Sequence, residues 1–199
     1  MKSQSSIGVI VLAAGESKRL GKPKQLLTYQ NTSLLQRVID ISDGIKAISK
    51  VVILGAHADK ISSEINNHSL EVLINEDWAE GIASSIRTGI SALLKSKSSV
   101  KGALFLLSDQ PHLTHDHLKN LLSIHRNDQP CITGSHYADQ VGVPVIFSHH
   151  YFDELIELTG DQGAKKIVVK HPDAIQHIVL EGGEIDIDTI DDYKNLIDT

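Results

Sequence analysis

The sequence is poor in cysteine and in positive charge. Among its 199 residues there is a single cysteine, Cys131. One cysteine cannot form an internal disulfide, which suits a reducing compartment, so we expect a cytoplasmic protein. Aspartate and glutamate (25) outnumber lysine and arginine (19), which gives a formal net charge of -6. A duplex-binding protein needs a basic stripe to neutralise phosphates, so we expect no nucleic acid partner.

Long hydrophobic runs are also missing. None approaches the roughly 20 residues that a membrane span needs, so we expect no membrane partner. Lys2 and the apolar run from Ile7 to Ala14 resemble a short signal peptide, but the thin positive region and the short run favour a buried strand. No linker, low-complexity segment or internal repeat interrupts the chain, which predicts a single domain over residues 1–199.

Seven short apolar, β-branched runs predict strands. They are Ile7–Ala13, Lys50–Leu54, Leu70–Ile74, Ala103–Leu107, Cys131–Thr133, Val143–Phe147 and Ile175–Leu180. Several are apolar almost throughout, which is typical of parallel strands covered on both faces by helices. We expect Val143–Phe147 to be antiparallel, with Pro144 at a sheet edge or in a bulge, because proline weakens a central strand.

Helical patterns fall between these runs. Ser33 with Gln36 reads as a capping box, and Thr114 as a plausible N-cap. An apolar stripe at helical spacing is formed by Ile82, Ile86, Ile90 and Leu93. Strands that alternate with helices imply right-handed βαβ units and an α/β fold.

The loop after the first strand carries an unusual concentration of charge. Small residues lead to Gly15, and four cations follow within nine residues: Lys18, Arg19, Lys22 and Lys24. A glycine-bearing turn lets backbone N–H groups approach an anion, and ligands bind at the carboxyl ends of strands in open α/β sheets. The pattern therefore predicts a triphosphate cradle. The alternative is a solvated basic turn.

Two familiar phosphate motifs do not fit this loop. A Walker A motif needs four residues between its glycines and a Ser or Thr after the lysine. Here five residues separate Gly15 from Gly21, and Pro23 occupies the position of the Ser or Thr. The dinucleotide fingerprint G-x-G-x-x-G is absent.

Three acidic residues are candidates for a metal site. Asp109 follows the buried run Ala103–Leu107 at its carboxyl end, which would place it at the same sheet edge as the first loop. Mg²⁺ prefers such hard oxygen ligands, although Asp109 is also suited to capping the following turn. Asp186 and Asp188 lie two positions apart, so in an extended segment their carboxylates share one face. The alternative is a solvated turn in which Asp188 or Thr189 caps the last helix.

Other polar and aromatic residues allow two interpretations each. Ser84 and Ser85 begin a helix and are suited either to a nucleotide or to ordinary first-turn bonding. Trp78 is a packing anchor or a stacking surface. The spacing of His112, His115 and His117 does not match paired helical zinc ligands, so we interpret them as surface residues.

Six segments together resemble the MobA-like NTP transferases, and within that group the molybdenum cofactor cytidylyltransferases. The first is LAAGESKRLGKPKQLL, from Leu12. The others are Asn75–Ser85, Leu107–Pro111 with Gly142–Pro144, Gly160–Ala164 and Asp186–Thr189. They run in family order across nearly the whole chain. Ile190 departs from the pattern, since proline is common there, and we interpret this as a detail of the helix start.

The resemblance implies a three-layer α/β fold of the Rossmann-like, GT-A type with a mostly parallel mixed sheet. It implies a nucleotide-binding N-terminal part and a C-terminal part that holds the acceptor and a second metal ligand. The nucleotide-binding residues would be Leu12, Ala13, Ala14, Gly15, Arg19, Lys24, Gly81, Ser85 and Asp109. Asn75 is a weaker candidate. Arg19, Lys24 and Asp109 would also be catalytic.

The family also implies Mg²⁺ at Asp109 and at Asp186, which we favour over Asp188. Acceptor-binding residues would be Gly142, Pro144, Asp161 and Gly163. Asp161 is equally suited to capping a helix over Lys165–Val169.

The implied reaction transfers CMP from CTP to the terminal phosphate of molybdopterin and releases pyrophosphate. CTP is preferred over GTP because the related guanylyltransferases carry LAGG where this chain has Leu12–Gly15. Alternatives are a guanylyltransferase, a sugar-1-phosphate nucleotidyltransferase, or a non-catalytic nucleotide-binding or cofactor-chaperone protein. A molybdoenzyme maturation chaperone is a further expected partner.

Overall fold

The computed structural model describes residues 6–66, 69–96 and 99–198, so Lys2 lies outside the described residues. The strands are β1 (Ile7–Ala13), β2 (Thr28–Tyr29), β3 (Thr32–Ser33), β4 (Ser49–Leu54), β5 (Glu71–Ile74), β6 (Gly102–Leu107), β7 (Ile132–Tyr137), β8 (Gln140–Ser148) and β9 (Ile175–Val179). The α-helices are α1 (Leu34–Asp43), α2 (Ala58–Ser62), α3 (Ile82–Ser96), α4 (His115–Ile124), α5 (Phe152–Ile156), α6 (Lys165–Lys170) and α7 (Ile190–Ile197).

Seven of these strands form one mixed sheet in the order β5-β4-β1-β6-β8-β7-β9, and β2 pairs with β3 in a separate hairpin. β8 runs antiparallel to β6 and β7, while the remaining neighbours pair in parallel. The mostly parallel mixed sheet and its antiparallel strand over Val143–Phe147 are therefore confirmed. The carboxyl ends of β1 and β6, neighbours in the sheet, place the segments after Ala13 and Leu107 at one edge.

Helices cover both faces of the sheet, because alternate residues of each buried strand point to opposite sides. Val9 and Leu104 pack with α1, α2 and α4 in one hydrophobic layer. Ile10 and Phe105, their neighbours in sequence, pack with α3, α5 and α6 in the other. This gives the three-layer architecture that was predicted. None of the described helices combines the length and the apolar composition of a membrane span.

Pro144 lies in the interior of β8, which is a central strand. The pairing of β7 with β8 shifts there: Gly134 faces Val145, whereas Ser135 faces Gly142. Two residues of β8, Val143 and Pro144, thus have no residue of β7 opposite them. Of the two positions expected for this proline, the bulge is confirmed and the sheet edge is wrong.

The predicted helix caps have mixed outcomes. Thr114 caps α4, since its hydroxyl accepts from the His117 N–H. Ser33 caps α1, but the Gln36 side chain bonds Asp40 and the Asn66 N–H, so the capping box is only half formed. The predicted Asp161 cap is wrong.

The reason lies in the start of α6. The residue before Lys165 is Ala164, which has helical dihedrals and offers no capping side chain. A turn closed from Gln162 N–H to the Thr159 carbonyl precedes it. Asp161 therefore lies too early in the chain to cap the helix.

A third, smaller hydrophobic cluster joins the two ends of the chain. Leu20, Leu27 and Leu34 pack with Ile187 and Leu196. A capping box fixes the start of α7: the Thr189 hydroxyl accepts from the Asp192 N–H, and the Asp192 carboxylate accepts from the Thr189 N–H. Packing of α7 on the first loop therefore carries residues 186–188 to that loop.

Candidate active site

The first loop is held in a curled shape by a buried glutamine. Gln25 is 1% exposed, and its side-chain amide donates to the carbonyls of Ala13 (2.8 Å) and Gly15 (2.9 Å). The backbone N–H of Lys24 donates to the Ser17 hydroxyl (3.0 Å), and Ser17 has a positive φ of 60°. The chain thus doubles back, so that Lys24 lies close to the carboxyl end of β1.

A chain of ion pairs crosses the site. The Lys24 ammonium contacts the Asp109 carboxylate and Asp188 Oδ1 (3.1 Å). The Arg19 guanidinium contacts Asp188 Oδ2 (2.5 Å). Residues separated by up to 169 positions in sequence are therefore in direct contact.

These charges stabilise one another. Burial alone would lower the pKa of Lys24, but Asp109 and Asp188 outweigh burial and raise it. Burial of Asp188 opposes its ionisation, but Lys24 and Arg19 outweigh that effect and lower the pKa of its carboxyl. Lys24 is thus a permanent cation whose side chain is only 19% exposed.

Asp186 lies beside this network on the side of Asp109. Ile187, between Asp186 and Asp188, is buried, and of the two acids only Asp188 lines the cleft above the first loop. Partial withdrawal of the carboxyl from water and the negative charge of Asp109 raise the pKa of Asp186 to about 6. The charges of Asp109 and Asp186 interact, and carboxylates are the hard oxygen ligands that Mg²⁺ prefers.

Among the described residues, no group of three or more His, Cys, Asp or Glu is arranged to hold a metal ion. The two carboxylates still fit Mg²⁺, because that ion typically takes one or two carboxylates and completes its shell with water and substrate phosphates.

One of the three clustered histidines is buried. His117 is 7% exposed, and its ring forms a hydrogen bond with the Ser135 hydroxyl at 2.8 Å. The surface interpretation is therefore wrong for His117.

A cleft of about 590 Å³ opens above the loop. All nine predicted nucleotide-binding residues line it: Leu12, Ala13, Ala14, Gly15, Arg19, Lys24, Gly81, Ser85 and Asp109. The cations and carboxylates lie at one end. Residues of the segment from Trp78 to Ser85, around the start of α3, form another part of its wall.

The second wall is held together by Asn75. Its amide donates to the Ser84 (2.8 Å) and Ser85 (3.0 Å) hydroxyls, and Ser84 donates in turn to the Gly81 carbonyl. Ser84 is therefore occupied in shaping the wall, while Ser85 faces the cleft. Trp78 packs on Gly55, as expected of a packing anchor. It also lines the cleft, and its role as a stacking surface stays a prediction.

The four predicted acceptor-binding residues do not lie together. Asp161 lines the same cleft as Gly81 and Ser85, whereas Gly142, Pro144 and Gly163 do not line it. The Gly142–Pro144 segment is tied to the acidic end instead, because the Val143 carbonyl accepts from Gln110 (2.7 Å) and from the Tyr137 hydroxyl (3.0 Å). Burial raises the pKa of Tyr137, and the negative charges of Asp186 and Asp109 raise it further. The Tyr137 ring therefore lies near those two acids.

Several residues of the site were not predicted from the sequence. Gln25 gives no clear signal, since it is one polar residue between Lys24 and Leu26. Tyr137 gives no signal in the sequence. Its ring packs closely on Gly142, since a Cβ built on Gly142 would lie 2.3 Å from the tyrosine hydroxyl. Glu80 and Arg87 form a two-armed ion pair across the turn before α3, with contacts of 2.8 and 2.5 Å.

A helix-flanked, mostly parallel sheet with a cationic glycine loop after β1 and carboxylates at the same edge defines a nucleotide-binding α/β protein. Residues 9–175 match the MobA-like NTP transferase domain. The chain belongs to this family of nucleotidyltransferases.

Proteins of known sequence and structure are similar along the whole chain. Nicotine blue oxidoreductase of Paenarthrobacter nicotinovorans is 28% identical, over 94% of this chain and 95% of its own. The purine catabolism protein PucB of Bacillus subtilis (strain 168) is also 28% identical, over 97% and 96%. The molybdenum cofactor cytidylyltransferase of Escherichia coli (strain K12) is 24% identical, over 95% and 94%.

Solved structures share the fold. Rv0371c of Mycobacterium tuberculosis H37Rv has a TM-score of 0.87 and 30% identity, covering 99% of this chain and 100% of its own. A complex of Rv0371C with manganese has a TM-score of 0.79 and 28% identity, covering 97% and 98%. A divalent metal is thus bound in a related structure.

Proposed function

We propose that this chain is a cytoplasmic cytidylyltransferase that moves CMP from CTP to the terminal phosphate of a molybdopterin-type acceptor and releases pyrophosphate. The observation that carries the proposal is the contact of Lys24 with both Asp109 and Asp188 at one end of the cleft. Cations for a triphosphate and acids for Mg²⁺ thus meet within a few ångströms. A molybdoenzyme maturation chaperone would be a further partner.

The chemistry needs charge neutralisation more than proton transfer. A phosphate oxygen of the acceptor attacks the α-phosphorus of the nucleotide, and pyrophosphate leaves. A phosphomonoester has a second pKa of roughly 6, so the attacking oxygen is already ionised near neutral pH and needs no general base. The obstacle is repulsion between two polyanions, which positioned cations overcome.

Arg19 and Lys24 would bind the triphosphate and the departing pyrophosphate. Both cations now contact carboxylates, so an entering triphosphate would replace Asp188 and Asp109 as their partners. Mg²⁺, held by Asp109 and Asp186 with Asp188 as the second choice, would supply further positive charge to the phosphates. Burial, and then the charge of Asp109, raise the pKa of Asp186, and a bound cation would offset the second of these effects.

The nucleobase would occupy the end formed by Gly81 and Ser85. Ala14 is 8% exposed and lines the cleft, so its methyl group narrows the space that a base can use. A pyrimidine fits that restriction better than a purine, which supports CTP over GTP. The acceptor would approach Gly142 and Pro144 on the acidic side, with Gly163 as a further contact.

A second candidate has an observation in its favour. The relative named nicotine blue oxidoreductase is 28% identical to this chain, against 24% for the cytidylyltransferase. A role without nucleotidyl transfer on the same fold is therefore a real competitor. Guanylyl transfer and transfer to a sugar 1-phosphate are competitors within the transferases.

Release of pyrophosphate from CTP or GTP, with Mg²⁺ and purified molybdopterin, tests the proposal directly. We expect turnover with CTP, and we expect Asp109→Asn to abolish it while the circular dichroism spectrum stays unchanged. The matched control is Asp173→Asn, at an exposed aspartate away from the cleft. Nucleotide binding without pyrophosphate release would favour the non-transferase role, and full activity of Asp109→Asn would refute the metal assignment.

A further inference from the structure

The structure assigns to Asp161 a role in selecting the nucleobase: we infer that its carboxylate accepts a hydrogen bond from the amino group of the base, and so favours CTP over UTP. This inference rests on the proposed function. It moves Asp161 from the acceptor side, where the family resemblance puts it, to the nucleotide side.

Asp161 lies directly against the wall that would hold the base. A Cβ atom built on Gly81 would lie 2.4 Å from Asp161 Oδ1 and 2.5 Å from the Gly160 carbonyl oxygen. The same carboxylate lines the cleft with Gly81, Ile82 and Ser85. Gly81 has a φ of 122°, so both its backbone conformation and its contact with Asp161 require glycine.

The carboxylate is held there by its own loop. Glu80 pairs with Arg87 and accepts from the Gly160 N–H (3.0 Å), while Arg87 donates to the Leu158 carbonyl (2.7 Å). The Gly160 carbonyl then accepts from the Ala83 N–H at 3.1 Å. Contacts to Leu158 and Gly160, just before Asp161, thus fix the loop to the start of α3, which makes Glu80 a positioning residue.

The charge of Asp161 identifies what it can bind. An ionised carboxylate only accepts hydrogen bonds, and it repels phosphate oxygens. Arg19 and Lys24, the cations that would bind the phosphates, pair with Asp188 and Asp109 and not with Asp161. A neutral group with hydrogen-bond donors must therefore face Asp161. Cytosine presents an amino group at the position where uracil presents a carbonyl oxygen, so a carboxylate here attracts the first base and repels the second.

Binding of CTP and of UTP to the full chain with Mg²⁺, measured by calorimetry without any acceptor, tests this assignment. We expect the wild type to prefer CTP over UTP by at least about tenfold, as for a hydrogen bond to a charged group. Asp161→Asn should weaken CTP and strengthen UTP, because an amide N–H can donate to the uracil carbonyl. Asp161→Ala should weaken CTP without improving UTP.

Two further variants separate positioning from general damage. Glu80→Gln should reduce the ratio of CTP to UTP affinity, whereas a merely structural role would weaken both nucleotides equally. Asp173→Asn, an exposed control, should change neither affinity.

Each contrary result has a distinct meaning. A wild type that binds no nucleoside triphosphate would refute the proposed function and this inference together. A wild type without preference for CTP, or an unchanged ratio in Asp161→Asn, would refute the inference alone. Equal weakening of CTP and UTP would indicate contact with the ribose, and unchanged binding of both would return Asp161 to the acceptor; either result overturns the base assignment.

Discussion

At the residue scale, Lys24 illustrates how one side chain serves two purposes. Its ammonium compensates the negative charge of Asp109 and Asp188 in the free protein. The same ammonium is the buried cation that a triphosphate would meet at this end of the cleft. When substrate phosphates replace the protein carboxylates, the Lys24 charge stays paired. The protein thus avoids the free-energy cost of an uncompensated buried ion.

Replacement of Lys24 by methionine should therefore abolish most of the activity. We expect pyrophosphate release to fall at least about 100-fold, the scale found when one preorganised electrostatic group is removed from an active site. Lys119→Met is the matched control, because Lys119 is 58% exposed and pairs with Asp116 on α4, outside the cleft. Steady-state assays of both variants give the answer, and similar activities would contradict the role of Lys24.

Gln25 offers a second prediction at this scale. Gln25→Ala should destabilise the fold by about 2–3 kcal/mol, because the carbonyls of the buried Ala13 and of Gly15 lose the donor that the buried Gln25 side chain supplies. Nucleotide affinity should fall as well, since these carbonyls belong to the loop that lines the cleft. Urea unfolding and calorimetry measure the two effects. Gln162→Ala, at an exposed glutamine that bonds Lys166, should change neither.

At the scale of elements, α7 connects the end of the chain to the first loop. Its capping box also fixes Asp188, because the Asp192 carboxylate accepts from the Asp188 N–H at 3.2 Å. Ile187 and Leu196 anchor the same region by hydrophobic packing. The positions of Asp186 and Asp188 therefore depend on the start of one short helix.

Two matched cap deletions test this dependence. Thr189→Ala and Thr114→Ala each remove a side-chain cap, so both should cost about 1 kcal/mol of stability. Only Thr189→Ala should also raise the KM for the nucleotide, because α4 lies away from the ion pairs. Equal KM values in the two variants would show that α7 does not position the site.

At the scale of the whole molecule, stability should depend on pH through a buried histidine that joins α4 to the sheet. The His125 ring bonds the Thr133 hydroxyl at 2.9 Å, and burial lowers its pKa to about 4. The unfolded chain takes up this proton near pH 6.5, whereas the folded protein resists it. This group's contribution is thus complete above pH 6.5 and is lost as the pH falls towards 4.

We expect roughly 2–3 kcal/mol of stability to be lost through His125 over that interval. His125→Gln, which cannot titrate, should show a correspondingly smaller decline between pH 7 and pH 4 in urea unfolding. His57→Gln, at an exposed histidine, is the control. Parallel stability curves for wild type and His125→Gln would contradict the assignment.

The sequence by itself determined the alternation of strands and helices, because apolar periodicity and β-branched runs are local properties. It also indicated the cationic loop, Asp109 and the antiparallel strand around Val143. Pro144 shows the limit: its residue type required an irregularity, but only the pairing with β7 decided between a bulge and an edge.

The tertiary structure alone decided what meets in the cleft. Lys24 and Asp188 are 164 positions apart, and packing of α7 on the first loop brings them together. Asp161 was predicted as a cap or an acceptor residue, yet its loop is bonded to Glu80 and its side chain lines the same cleft as Gly81 and Ser85. Contacts of this kind depend on how separate elements pack, and no local pattern of residue types records that packing.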